Sequence, residues 1–193
     1  LEPEETSVPE GATELNAETT TESSLDSVHE RIPRKNSDFV PFGCFDTIQK
    51  LVDSRRFMPC FISGLSGNGK TFSVEQACAR AGRPLWRVNL TQETDEDDLL
   101  GGLRLKEGDT VFQYGPVVEA MLAGGVLLLD EVDLASTKVM CIQSVLEGNG
   151  VYLKKAGEWV YPAPGFTVIA TANTKGKGSD SGRFVGTGTM NEA

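Results

Sequence analysis

The sequence predicts an α/β domain built on a mainly parallel sheet, and three observations predict it. Short β-rich runs alternate with segments of helical period, a glycine-rich turn joins the first run to a helix, and two later apolar runs end abruptly in polar residues. Strands buried on both faces read as unbroken apolar runs, and ligands of such sheets gather at the C-terminal strand ends.

The elements follow in order. Residues 59–63 form the first predicted strand. A helix starts at Thr71, with Val74, Ala77, Cys78 and Ala81 at i, i+3, i+4 and i+7, and stops at Gly82 and Pro84. Residues 85–90 are the second strand. Thr94 is expected to cap the next helix, because Asp95, Glu96, Asp97 and Asp98 then fill a first turn where the helix dipole favours negative charge. A divalent-metal reading of the same acids finds no matching ligands elsewhere. Residues 103–105 and 110–113 flank a four-residue, Gly-containing loop and predict a hairpin. A helix is expected from Pro116 to Gly124, then the buried strand Val126–Asp130. Val139, Ile142 and Leu146 predict a helix stopped by Gly148. A second hairpin pairs residues 151–154 with 159–161 across a loop at 155–158, and the last strand is Thr167–Ala172. Residues 175–193 are glycine-rich without clear period.

Composition bounds the rest. Residues 1–37 are rich in Glu, Thr and Ser, too poor in apolar surface to offset the entropy of ordering, so a disordered acidic tail is expected there and a folded core over 38–193. Nine acids and three bases in that tail account for −6 of the formal charge of −10. The remainder is only mildly acidic and has no basic stripe for nucleic acid, although Lys154 and Lys155 on the second hairpin leave that partner open. Cys44, Cys60, Cys78 and Cys141 form no C-x-x-C pair and His29 is the only histidine, so reduced, mostly buried thiols are expected rather than a zinc site. No charged, apolar, small-residue leader follows Leu1, and no apolar run approaches the ~20 residues of a membrane span. A cytoplasmic location without membrane contact is expected.

Three signals carry chemistry. Gly64-Leu65-Ser66-Gly67-Asn68-Gly69-Lys70-Thr71, continued by Phe72, fits G-x-x-x-x-G-K-[ST] between strand and helix. Glycines let backbone N–H groups and the helix N-terminus face phosphates; Lys70 is expected on the β- and γ-phosphates of ATP, and Thr71 on magnesium. In Val126–Asp130 and Glu131, four apolar residues precede two acids at the sheet edge. Asp130 is expected to hold magnesium and Glu131 to activate the attacking water as general base. Asn173, ending the last strand, can hydrogen-bond both γ-phosphate and water.

These signals in this order resemble AAA+ ATPases, with Asn173 at the position of sensor 1. The two hairpins resemble the helix-2 and pre-sensor-1 insertions of the MoxR and dynein-related branch. The runs 61–71, 94–102, 128–136 and 170–183 are similar to cobaltochelatase small-subunit-like ATPases carried by tailed phages. The resemblance implies a P-loop NTPase three-layer sandwich with sheet order 5-1-4-3-2, a ring, usually a hexamer, and an arginine supplied by the neighbouring subunit. The fifth strand, helical lid, sensor 2 and trans arginine are expected to lie beyond this chain, leaving the first strand as an open edge and the isolated chain nearly inactive; Arg183 is a weak substitute for that arginine. Remodelling of a protein partner is the implied role, and a phage nucleic-acid-processing or packaging ATPase is the alternative.

Overall fold

The computed structural model describes residues 28–173. Its core is a parallel sheet of four strands: β1 (Cys60–Ser63), β8 (Thr167–Ala172), β5 (Val126–Asp130) and β2 (Leu85–Asn89), in the order β1-β8-β5-β2. This is the expected 1-4-3-2 arrangement. β5 lies at the centre, with Leu128 opposite Ile169 of β8 and Arg87 of β2, and all five of its residues are buried.

Side chains alternate across a strand, so β5 divides its residues between two apolar clusters. Val126 and Leu128 join Ile62, Val74, Ala77 and Cys78 beneath α1 (Phe45–Ser54) and α2 (Lys70–Ala81). Leu127 and Leu129 join Trp86, Val117, Met121 and Val168 on the opposite face, beneath α4 (Pro116–Leu122). Two helical layers therefore sandwich the sheet. Each fully buried Leu or Val contributes roughly 1.5–3 kcal/mol, and this explains why β5 carries no polar residue before Asp130.

A single helical turn, α3 (Glu96–Leu99), leads into a hairpin of β3 (Gly101–Lys106) and β4 (Asp109–Tyr114). The helix cap is Asp95, not Thr94: Asp95 accepts from the amides of Asp97 and Asp98, and Asp98 reaches back to the Asp95 amide in a capping box. Thr94 instead accepts from the Thr91 amide at 2.9 Å, closing the preceding loop. The hairpin turn is two residues rather than four. Glu107 and Gly108 both take positive φ, 55° and 95°, so Lys106 already pairs with Asp109.

The helix predicted over 139–146 is mostly a 3₁₀ segment, Thr137–Ile142, followed by one α turn, α5 (Gln143–Leu146). Ser136 caps it through the Lys138 amide, and the buried pair is Ile142 and Val145 while Leu146 stays exposed. That i, i+3 spacing suits the tighter helix. β6 (Val151–Leu153) and β7 (Glu158–Val160) form the second hairpin around a four-residue loop. The hairpins are joined by Tyr114 Oη donating to Glu158 Oε1 at 2.8 Å.

The tail differs from expectation over residues 28–37, which pack on the domain. The Leu85 amide donates to Arg31 O at 3.1 Å; Arg31 pairs with Glu119 at 2.7 Å and lies 5.0 Å from the Trp86 ring centre. Gln76 accepts from the Asn36 amide and donates to Arg34 O. Composition gauges apolar burial, whereas this strap is held by hydrogen bonds and one cation–π contact. The rest of the expected tail, residues 1–27, lies outside the described residues, as do the glycine-rich end and Arg183.

Arg83, directly after α2, is 1% exposed. Its Nη1 donates to Val52 O at 2.9 Å, and its Nη2 to Gly124 O at 3.0 Å and to Gly165 O, tying three chain segments together. Only Cys78 of the cysteines is fully buried; Cys60 and Cys141 are half-buried and Cys44 is exposed, where mostly buried thiols were expected. Among the described residues no helix is long and apolar enough to cross a membrane.

Candidate functional site

The C-terminal ends of β1, β5 and β8 open together on one side of the sheet, and the glycine-rich loop spans that edge. Gly64 N continues the β1–β8 ladder by donating to Ala172 O at 3.2 Å, so the loop leaves directly from paired backbone. Gly67 and Gly69 adopt φ of 80° and 66°, which an L side chain resists, and the aromatic ring of Phe42 lies against Gly69. Gly69 caps α2, so the first-turn N–H groups of this 12-residue helix face the loop without intrahelical partners.

Lys70 crosses the loop from inside. Its Nζ donates to Gly64 O at 2.9 Å, Leu65 O at 3.0 Å and Asn173 Oδ1 at 3.1 Å. Thr71 Oγ1 donates to Asp130 Oδ1 at 2.9 Å, and the same oxygen accepts from the Thr171 hydroxyl. Glu131 follows with φ 60° and ψ 45°, a left-handed conformation uncommon for a side-chain-bearing residue and concentrated at functional sites. Its amide donates to Thr171 Oγ1 at 3.3 Å. Asn173 then joins the two sides: its Oδ1 faces Lys70, its Nδ2 donates to Glu131 Oε1 at 3.3 Å, and its amide donates to Asp133 Oδ2 at 3.2 Å.

A cleft of about 410 Å³ lies over this constellation, walled by the loop from Ser66, by Arg87 and Asn89 of β2, and by Asp130, Glu131 and Asn173. Phe72, half-exposed, lines its rim and packs edge-on against Phe39 at 5.4 Å. Every sequence-predicted site residue from Ser66 to Phe72, with Asp130, Glu131 and Asn173, thus faces one space. Gly64 and Leu65 contribute carbonyls to Lys70 instead. Thr71 and Asp130 present a hydroxyl and a carboxylate side by side at the helix N-terminus, a hard-oxygen pair that fits magnesium, which takes its remaining ligands from phosphate and water.

Sequence reasoning missed Thr171, Asp133 and Arg87. Thr171 is buried on β8 and supports Asp130 and Glu131; its signal was a threonine two residues before Asn173 in a largely apolar strand. Asp133, 2% exposed, holds the Asn173 amide from a 3₁₀ turn that no periodicity announces. Arg87 ion-pairs with Asp130 at 2.7 Å, a pairing that only the β2–β5 register reveals.

A parallel sheet with a glycine-rich loop between β1 and α2, and an Asp-Glu pair ending the central strand, defines a P-loop NTPase domain. Residues 59–183 match the AAA domain of the dynein-related subfamily, and the chain belongs to that family. It is 37% identical over 146 residues to the aerobic cobaltochelatase subunit CobS of a Sinorhizobium species, covering 72% of this chain and 43% of that protein. It is 36% identical over 118 residues to the protein NorQ of Paracoccus denitrificans, covering 60% and 44%. The crystal structure of a putative ATPase from Cytophaga hutchinsonii superposes with a TM-score of 0.57 at 18% identity, over 88% of this chain and 47% of that one, and shares its fold. The chain therefore spans less than half the length of these relatives.

Proposed function

We propose that this domain binds ATP with magnesium and hydrolyses it, and that the protein works as a cytoplasmic ring, a hexamer by family resemblance, that remodels a protein partner. The observation carrying this reading is the convergence of Lys70, the Thr71–Asp130 pair and the Glu131–Asn173 pair on one cleft. Lys70 satisfies its charge on two loop carbonyls and Asn173. Triphosphate oxygens offer the ammonium stronger, charged acceptors, so Lys70 moves from these neutral partners to the β- and γ-phosphates. Thr71 and Asp130 would hold magnesium, which would neutralise charge on the phosphates.

Asn173 Nδ2 carries two hydrogens, so it can donate to the γ-phosphate with one while the other orients Glu131, and Oδ1, released by Lys70, can accept from the attacking water. Glu131 takes the proton of the attacking water, and its position beside Asn173 aims that water at phosphorus. An ADP-bound site lacks the γ-phosphate that would engage Asn173, so the Lys70–Asn173–Glu131 chain discriminates the two nucleotides.

A protein partner is favoured over nucleic acid by the second hairpin. Lys155 is held by Asp97 at 2.6 Å and Lys154 stands 4.0 Å from Glu96, so both lysines serve the acidic turn of α3. The CobS relative, named as a subunit of an enzyme, fits a partner-directed role, and a phage origin would place the ring in the host cytoplasm. Phosphate release in magnesium and in EDTA, with sedimentation in the presence and absence of ATP, tests this reading. Magnesium-dependent turnover with ATP-promoted assembly is expected of the whole protein. ATP-independent monomers would refute the ring, and absence of nucleotide binding would refute the site.

A further inference from the structure

Asp130 engages more than the magnesium-ATP reading uses. Its side chain is only 6% exposed, and three donors converge on it: the Thr71 and Thr171 hydroxyls on Oδ1, and Arg87 Nη2 on Oδ2 at 2.7 Å. The threonines are neutral. Among the described residues Arg87 is the cation in ion-pair contact with this carboxylate. A carboxylate so withdrawn from water requires a positive partner. Arg87 stands on β2 opposite Leu128, lines the nucleotide cleft, and is held on its other side by Glu75 Oε1 of α2 at 3.1 Å.

A guanidinium and a divalent ion on one carboxylate repel each other, and because the Asp130 carboxylate is buried while Arg87 is half-exposed, that repulsion is only partly screened. The geometry points to Arg87 as an internal cation that holds Asp130 before magnesium arrives and leaves Oδ2 when the metal binds. This inference rests on the magnesium-ATP reading above. Arg87 is a positioning residue: it keeps the Asp130 carboxylate aimed and charge-balanced, and sets the magnesium concentration at which the nucleotide is captured. Its side chain is 48% exposed and already anchored by Glu75, so it has both an exit toward solvent and a second anion to retain it.

Two substitutions on this pair act in opposite directions, which a general loss of folding cannot imitate. Arg87→Gln removes the competing charge while keeping an N–H donor for Asp130. Glu75→Gln removes the anion that draws Arg87 away and offsets its charge, so Arg87 holds Asp130 more firmly. Couplings between linked sites usually amount to ~5–150-fold, and a half-exposed arginine belongs at the low end.

The test uses the full chain and a fluorescent N-methylanthraniloyl derivative of the non-hydrolysable β,γ-imido analogue of ATP, titrated with buffered free magnesium. Arg87→Gln is expected to lower the half-saturating magnesium concentration about 5-fold and Glu75→Gln to raise it about 2–3-fold. In EDTA alone, Arg87→Gln is expected to bind the analogue more weakly than wild type, since the cleft loses a positive charge. An unchanged or raised magnesium requirement in Arg87→Gln, or shifts of the same sign in both variants, overturns the inference. Wild-type protein whose nucleotide binding ignores magnesium overturns the magnesium-ATP reading itself, whereas magnesium-dependent wild type with unshifted variants overturns this inference alone.

Discussion

Replacing Arg83 with Met keeps the aliphatic packing of the stem and removes the fork that joins Val52, Gly124 and Gly165. The Val52 carbonyl is buried at the C-terminal turn of α1, and those of Gly124 and Gly165 are part-buried in the loops that lead into β5 and β8. Each acceptor deprived of its donor costs about 1–3 kcal/mol, and partial relaxation puts the sum near 3–6 kcal/mol. Against this stands the desolvation of a charged group, which lowers the Arg83 pKa below its ordinary range and is relieved when the charge goes. The net loss is expected at about 2–4 kcal/mol, a large part of the ~5–15 kcal/mol that stabilises a domain. Arg83→Lys should lose less, because one charged donor remains, yet cannot span three carbonyls. Urea unfolding followed by tryptophan fluorescence, with linear extrapolation, measures both. A stability for Arg83→Met within about 0.5 kcal/mol of wild type would refute the claim that this arginine ties the three segments together.

Three further outcomes follow from the same contacts. Lys70→Ala is expected to weaken ATP binding about 100-fold by calorimetry, since a charge-assisted contact to the phosphates is lost; unchanged affinity would sink the phosphate-loop assignment. Asn173→Ala should leave ATP affinity within a few-fold but cut turnover by about 10²-fold, because Glu131 and the γ-phosphate lose their shared partner; a proportional fall in binding would mean Asn173 only supports the loop. Burial pushes the Cys78 thiol from 9.0 up to about 12, with nearby Arg83 partly opposing and Glu75 adding to the rise. The folded state thus holds the thiol neutral, and its stability contribution is complete below the unfolded value near 9.0 and is lost as pH climbs toward about 12. The unfolding free energy should fall by up to about 1.4 kcal/mol per pH unit in that window, and Cys78→Ala should show a visibly shallower slope; equal slopes would contradict it.

The legible parts of this chain are those whose cause is local. Val126–Asp130 reads as a central strand because burial on both faces demands an unbroken apolar run, and the loop from Gly64 to Thr71 is visible because close backbone approach to an anion demands glycine. Their convergence followed from chain order alone, since parallel strands place their ends on one side. What stayed hidden depends on distant partners. Arg83 sits between Gly82 and Pro84 and reads as the residue of a helix stop, although its three acceptors are 31 to 82 positions away. Arg87 meets Asp130 only through the β2–β5 register, and Arg31 reaches Glu119 and Trp86 from a segment whose polarity suggests disorder. The cap moved from Thr94 to Asp95 because a capping box satisfies two amides where a lone threonine satisfies one.

In the proposed reaction, Glu131 activates water for attack on ATP held by Lys70, Thr71 and Asp130. Glu131→Gln preserves the side chain's shape and its acceptor for Asn173 Nδ2 at 3.3 Å, yet cannot take a proton. Paired measurement of ATP affinity and steady-state phosphate release on the whole protein tests it most directly. Unchanged affinity is expected, with turnover reduced by about 10²–10⁴-fold, the range of a lost general base. Turnover at the wild-type rate would contradict it.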